Sequence, residues 1–466
     1  MTVASGRALR YNKESQQYYV KVNAMKILIV NGSPRGRFSV TLQSCLYLEK
    51  RYPRHSFEYL NVGTGIQSFE RDMAPAASAF ARAELVIFAY PVYTFLVPSQ
   101  LHRFLELMRE NGLAVKNLYA TQLSTSKHFF DVTAHRFVEE NLRDLGMRVI
   151  RGLSADMEDL LCEQGQKELE AFFEHTLFCV ENGLWDKRPL PPPAPERGVY
   201  ECAVEPCKKR DGFDTVIVAD LREGDEGLRA MIKDFDAAYP YRTRFVNLAD
   251  FPFKGGCLGC LNCAINGSCV YRDGFDALLR DKILCADAIV YAFTPSCHSM
   301  GSRFKMYDDR QFCNGHRTVS EGKPFGYLVN GSLEGEENLR TLLEARCSVG
   351  HSYLAGFASD VGGIRDLALE LGRALETGYV PPRDFYGVGG MKIFRDLIWG
   401  TRGIMAADHR FYRQHGLYDF PQKKWPRMLG LCLLGALMRR PRIRRLIGDR
   451  MNEGMLAPYK KLLERL

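Results

Sequence analysis

Four cysteines fall within thirteen residues, Cys257, Cys260, Cys263 and Cys269, in the segment CLGCLNCAINGSC. Thiolates spaced C-x2-C-x2-C-x5-C can converge on one metal centre, because two-residue gaps bring neighbours to a common point from a turning loop. Gly259 and Gly267 permit the tight turns this needs. The spacing favours an iron–sulfur cluster. A single zinc ion more often takes its ligands as two well-separated pairs, and thiols without metal are the third reading.

Three other segments carry binding chemistry. GSPRGRFSVT supplies Gly32 for a tight turn, the hydroxyls of Ser33, Ser39 and Thr41, and positive charge from Arg35 and Arg37, just before a helical stretch. Backbone N–H groups at a helix start, with hydroxyls around them, suit a terminal phosphate; the plainer alternative is a capped turn. The segment is neither G-x-G-x-x-G nor a P-loop. YPVYTFLVPSQL sets Tyr90, Tyr93 and Phe95 between prolines, as a ledge for a flat heterocycle or as core packing. STSKHFFD brings Ser124, Thr125 and Ser126, with Lys127 and His128 behind them. His128 is the acid–base candidate, although a lone histidine is more often structural.

The elements that position these segments are short apolar strands alternating with amphipathic helices. MKILIVNGS reads as a strand, followed by a helix over 42–52, a strand over 57–62, the apolar run 85–89, a helix over 99–110, a strand over 118–123 and a helix over 135–145. After the proline-rich segment RPLPPPAPERG the pattern restarts: DTVIVADL, a helix over 227–239, strands over 243–248 and 288–293, then PFGYLVNGS and HSYLAGFAS. Such alternation predicts parallel sheets covered on both faces. Ligands then sit beyond the carboxyl ends of the strands, where the binding segments lie. The expected organisation is an N-terminal extension over 1–24, one doubly wound domain over 25–186, a stiff linker over 187–212, a second domain over 213–379 and a basic helical tail over 380–466. An internal duplication is the plainest account of the repeat.

The order GSPR…S-x-T, YPVYTFLVPSQL, STS resembles the flavodoxin-like NAD(P)H-dependent FMN reductase and quinone reductase families. The resemblance implies a three-layer α/β/α fold and FMN. Ser33, Arg35, Ser39, Val40 and Thr41 would hold its phosphate, Pro91, Val92, Tyr93, Thr94 and Phe95 would line its ring, and Ser124, Thr125 and Ser126 would close the far side. The second half is similar to the iron–sulfur flavoproteins, whose CxGCxxC…GxC…D segment, T-P-x-x loop and K-x-x-x-D-R helix match CLGCLNCAINGSCVYRD and FTPSCHSMGSRFKMYDDR. That resemblance implies a 4Fe–4S cluster on Cys257, Cys260, Cys263 and Cys269. Where the second half should repeat the phosphate loop it reads ADLREGDEGLR, with Asp220, Glu223, Asp225 and Glu226 set to repel a phosphate. The two halves are therefore complementary, one with a flavin pocket and one with cluster ligands, as in a dimer fused into one chain. NAD(P)H as donor, and quinones, nitro compounds or a protein carrier as acceptor, follow from the resemblance, as does pairing through homo-oligomers or within the chain. A non-catalytic electron carrier is the competing reading.

Composition sets the remaining expectations. Fourteen cysteines and a polar N-terminus without an apolar signal run point to a reducing, cytoplasmic setting. The chain carries a net +8, yet residues 381–466 hold 18 Lys or Arg against 7 Asp or Glu, so the rest is slightly acidic at −3. This excludes an extended nucleic-acid face on the body. LGLCLLGALM followed by RRPRIRR is too short to span a bilayer. The tail reads either as a helical cap over the domains or as a peripheral contact with an anionic membrane face.

Overall fold

The computed structural model describes residues 23–188, 200–443, 456–457 and 459–465. The N-terminal extension up to residue 22, linker residues 189–199 and tail residues 444–455 lie outside the described residues. The chain divides into two compact units, one ending at His409 and one beginning at Arg410.

Within the first unit, the strands β1 (Lys26–Asn31), β2 (Ser56–Leu60), β3 (Leu85–Pro91), β4 (Tyr119–Ser126), β5 (Arg148–Val149) and β6 (Leu153–Asp156) form a parallel sheet. Its order is β2-β1-β3-β4-β5, with β6 continuing alongside β4 beyond β5. The strands β7 (Asp214–Ala219), β8 (Arg242–Asn247), β9 (Ala288–Phe293), β10 (Pro324–Val329) and β11 (Tyr353–Ala358) form a second parallel sheet, in the order β11-β10-β9-β7-β8. Counted within each half, both sheets run 2-1-3-4-5. Each therefore has a switch point between its first and third strands, where connections leave in opposite directions and open a crevice. β1, β3, β9 and β10 are buried along nearly their whole length, as strands covered by helices on both faces must be.

The sequence pattern locates most strands to within a residue or two. β4 is longer than expected: Ser124, Thr125 and Ser126 are its last residues, paired with β3 on one side and β6 on the other. Their hydroxyls break the apolar pattern, but the ladder continues because β6 is there to receive it. Helices Val62–Arg71, Ala74–Arg82 and Glu163–Glu181 also went unread in the sequence, the first two because glycines and a proline blur their periodicity.

One apolar core runs through both halves. Leu28, Val30, Val86 and Phe88 of the first sheet belong to the same buried cluster as Val216, Val218, Ile289 and Phe293 of the second. Helices Ser99–Glu110 and Ser302–Arg310 pack together between them. Helix Phe385–Gly400, at the start of the predicted tail, packs on helix Glu337–Gly350, and its Phe394 ring lies 4.3 Å from that of Phe129. Among the described residues no helix is long and apolar enough to cross a membrane.

Candidate active site

A cavity of about 600 Å³ opens at the carboxyl ends of the first sheet's strands, walled by residues from both halves. Of the residues singled out in the first half, Ser33, Arg35, Ser39, Val40, Thr41, all of Pro91 to Phe95, Thr125 and Ser126 line it, and so do all four cysteines of the second half. Ser124 and His128 are not among the lining residues. The Ser124 hydroxyl turns inward to His135 Nε2 at 2.7 Å. His128 is half exposed, with Nδ1 2.9 Å from Asp131 Oδ2. Tyr90 is fully buried and bonded to Gln122, so the aromatic ledge is Tyr93 and Phe95 without it.

The loop after β1 is a tight turn. Asn31 Oδ1 accepts from Ser33 N–H at 3.2 Å, Ser33 Oγ from Arg35 N–H at 3.3 Å, and Ser39 Oγ caps helix Val40–Arg51 through Leu42 N–H at 3.3 Å. Thr41 Oγ1 lies 2.6 Å from Thr125 Oγ1, tying the loop to the end of β4. Helix Val62–Arg71 presses on this loop at Gly63, where any Cβ would stand 2.1 Å from the Ser33 carbonyl oxygen. The result is a helix N-terminus with hydroxyls around it and Arg35 exposed at its rim.

The loop after β3 turns back through Thr94 and Phe95, both with positive φ (38° and 68°), closed by a bridge between Tyr93 and Leu96. Positive φ at two such residues is strained, and the second half supplies what holds it. Lys305 Nζ donates to the Tyr93 carbonyl at 2.8 Å and to Thr94 Oγ1 at 2.6 Å. Asp309 accepts from Thr94 Oγ1 and Lys305, and from Ser99 N–H at 2.8 Å. Lys305 and Asp309 have no exposed side-chain surface. The contact is reciprocal: Ser302 N–H donates to Glu106 Oε1 at 2.7 Å, as Ser99 N–H does to Asp309. The second half repeats the strained turn as well, with positive φ at Cys297 and His298 and a bridge between Ser296 and Ser299. Burial lifts the Tyr93 phenol well above its usual range.

The cysteine segment is packed directly on this loop. Gly259 has φ +62°, and a Cβ there would fall 1.9 Å from Tyr93 Oη, so no other residue fits without moving the ring. Gln100 Nε2 reaches the Cys257 carbonyl at 3.4 Å. From below, Arg310 clamps the segment's two ends, donating to Asp273 at 2.8 and 2.9 Å and to the Gly255 carbonyl at 3.0 Å. Cys269 N–H donates to Asp276 Oδ2 at 3.0 Å. Burial raises the Cys257 thiol, opposed by a hydrogen bond from Gly259 N–H and reinforced by Asp309, Cys263 and Cys260. Burial likewise lifts Cys263 to about 11, with Asp408, Cys260 and Cys269 adding to it. The four thiols line one cavity. Among the described residues no three His, Cys, Asp or Glu side chains stand close enough to share a single metal ion. A zinc ion, bonded to each sulfur at about 2.3 Å, requires that closeness; a cluster spreads its thiolates over several irons.

At the corresponding place in the second half, Asp220 is buried and paired with Arg303 Nη1 at 2.8 Å and Arg222 Nη2 at 3.4 Å. Asp225 accepts from Arg222 N–H at 3.2 Å and Thr294 Oγ1 at 3.3 Å. Carboxylates and their own cations fill the position where the first half offers hydroxyls.

The fold is a pair of flavodoxin-like three-layer α/β/α sheets with a helix-rich C-terminal region. A family model described as a flavodoxin-like fold matches residues 25–149. Among solved structures, an NADH:FMN oxidoreductase in its apo form is similar at 19% identity, over 36% of this chain and 92% of that one, with a TM-score of 0.29. The flavoenzyme NAD(P)H:(acceptor) oxidoreductase FerB from Paracoccus denitrificans is similar at 15% identity, over 34% and 98%, with a TM-score of 0.29. General stress protein 14 from Treponema denticola, solved in complex with FMN, is similar at 14% identity, over 34% and 98%, with a TM-score of 0.27. The comparison with curated proteins finds no match.

Proposed function

We propose that this chain is an FMN-dependent oxidoreductase that carries its flavin on the first half and an iron–sulfur cluster, of the 4Fe–4S type, on Cys257, Cys260, Cys263 and Cys269. The observation that carries the reading is the shared cavity: a phosphate-type helix N-terminus, a braced ring-side loop and four thiols line one space of about 600 Å³. Bound there, a flavin exchanges hydride or single electrons and a cluster exchanges single electrons, which links a two-electron donor to one-electron chemistry.

The chain's own residues have separable tasks. The hydroxyls of Ser33, Ser39 and Thr41 and the charge of Arg35 hold a phosphate. Pro91 to Phe95 present a wall to a flat ring. Lys305 and Asp309 fix that wall and place a buried ammonium behind it. Thr125 and Ser126 close the far side. NAD(P)H or a reduced carrier is the donor, and quinone-like, nitro or protein acceptors take the electrons. The reciprocal bonds of Ser99 with Asp309 and Ser302 with Glu106 are what an isologous dimer interface becomes after duplication and fusion.

The test is the visible spectrum, iron content and acid-labile sulfide of anaerobically purified protein. Flavin bands with a broad iron–sulfur absorption support the reading. A colourless protein holding one zinc sinks it. A non-catalytic carrier is separated by steady-state oxidation of NAD(P)H with a quinone, which the enzyme sustains and a carrier does not.

A further inference from the structure

We infer that helix Trp425–Met438 docks this protein on an anionic membrane surface, sinking into one leaflet without crossing it. This rests on the second compact unit alone and is independent of the cofactors. The helix reads WPRMLGLCLLGALM, and every residue from 421 to 437 is exposed. Leu429 and Leu433, 54% and 61% exposed, share one side of the helix, while Leu431, 58% exposed, stands about 200° from Leu429 at 100° per residue and points the opposite way. A helix that is apolar all round belongs in a core or in lipid, and among the described residues no core receives this one.

Length and charge select the lipid geometry. Fourteen residues reach about 21 Å, short of the ~30 Å hydrocarbon layer. Lys423, Lys424 and Arg427 stand at one end, and Arg439, Arg440 and Arg442 at the other. Basic groups at both ends seek the same layer of headgroups, so the helix lies in the plane of the membrane with its cations reaching outward. Trp425, 65% exposed at the helix start, suits the headgroup boundary. Residues 410–466 hold 14 Lys or Arg against 4 Asp or Glu, a net of +10, which leaves −2 for the rest of a chain at +8. The charge is therefore concentrated where the apolar surface is. A nucleic acid would satisfy the cations and leave the leucines in water, and a protein groove would call for one apolar stripe with a polar back.

The experiment uses the full chain with vesicles of phosphatidylcholine alone or mixed with phosphatidylglycerol. The protein is expected to sediment with the mixed vesicles. Brominated acyl chains are expected to quench the emission that Trp425→Phe removes. The triple variant Leu431→Gln, Leu433→Gln, Leu434→Gln should lower partitioning by about a hundredfold with an unchanged thermal midpoint, since these side chains are exposed. Arg439→Glu with Arg440→Glu should weaken binding to the mixed vesicles. Native protein left in the supernatant with both vesicles overturns the inference. So does a triple variant that sediments like the native chain, which would leave charge as the whole cause. If the triple substitution instead only converts a dimer to a monomer, the helix belongs to a second copy and the inference is overturned.

Discussion

Cys260 is the most exposed of the four clustered thiols, and Arg35 the one cation at the rim of the phosphate-type loop among the residues assigned to it. They separate the two proposed cofactors. Cys260→Ser removes one of the four proposed cluster ligands and leaves the residues of the Ser33–Thr41 loop unsubstituted, so iron and sulfide content should fall while bound FMN stays near its native ratio. Loss of both together would mean that the cysteines are structural. Arg35→Glu does the converse. Replacing attraction by repulsion beside a phosphate costs about 1–2 kcal/mol at an exposed site, so FMN should bind about 5- to 30-fold more weakly by flavin fluorescence titration, with iron content unchanged. Asp309 is of a different kind, because its effect is on folding. It neutralises the buried Lys305 ammonium and accepts from Thr94 and Ser99. Asp309→Ala strands that charge, and the expected loss is about 3–5 kcal/mol in denaturant unfolding. Lys305→Met with Asp309→Leu should recover much of it, yet leave the ring-side loop without its braces and FMN binding weakened.

Among the elements, helix Ser302–Arg310 decides how the site is assembled. Lys305 and Asp309 face the first half's loop, and the next residue, Arg310, turns toward Asp273, Tyr271 and Phe275 under the cysteine segment. One rigid turn of helix thereby sets the distance between the Tyr93–Phe95 loop and the cysteines. Arg310→Ala should leave FMN affinity within about twofold while freeing both ends of the segment; in metal-free protein, thiol labelling of Cys257 and Cys263 should accelerate by tenfold or more as local opening becomes easier. Unchanged labelling would mean that Asp276, which accepts from Cys269 N–H, and Arg280, which donates to the Gly267 carbonyl at 2.7 Å, hold the loop alone. Part of this element is legible in the sequence: its K-x-x-x-D-R pattern comes from the family resemblance and the strands on either side from periodicity, while its bounds come from neither. Its direction of action is not. Lys305 and Asp309 are i, i+4 partners that could equally have bridged on a surface, and only the packing of two helices from different halves buries them against Thr94 and Ser99. Ser124 shows the same limit in the other direction. Its type suggests a pocket hydroxyl, but strand pleating sends successive side chains to opposite faces, so Thr125 reaches the cavity and Ser124 meets His135.

At the scale of the whole first unit, the two halves meet through charge as well as core. His298, in the second half's strained turn, places Nε2 3.0 Å from Asp144 of the first half and Nδ1 3.0 Å from Glu336 of its own. Glu140 faces the same cluster, and Arg109 pairs with Asp144 at 2.5 Å from the other side. Burial alone would lower the imidazole's pKa, but the hydrogen bonds it donates to the two carboxylates, and their charges, outweigh it and raise the value to about 10. Burial lifts Glu140 to about 7. Both groups hold protons more tightly folded than unfolded, so stability must fall as pH rises, over roughly pH 4.5–7 for Glu140 and roughly pH 6.5–10 for His298. The histidine's contribution is fully present below its unfolded value near 6.5 and lost as pH passes about 10. His298→Gln keeps a hydrogen bond to one carboxylate and removes the charge. It should cost about 2 kcal/mol at pH 6 and much less at pH 10, flattening the alkaline limb of the unfolding curve. Because Asp144 and Glu336 come from different halves, the same substitution should loosen the seam across which the cavity is built. FMN affinity should then fall with stability at pH 6 and converge with that of the native chain by pH 10. If the pH dependence of unfolding were the same in both proteins, His298 would be a packed neutral ring and the seam would be held by Lys305, Asp309 and Glu106 without it.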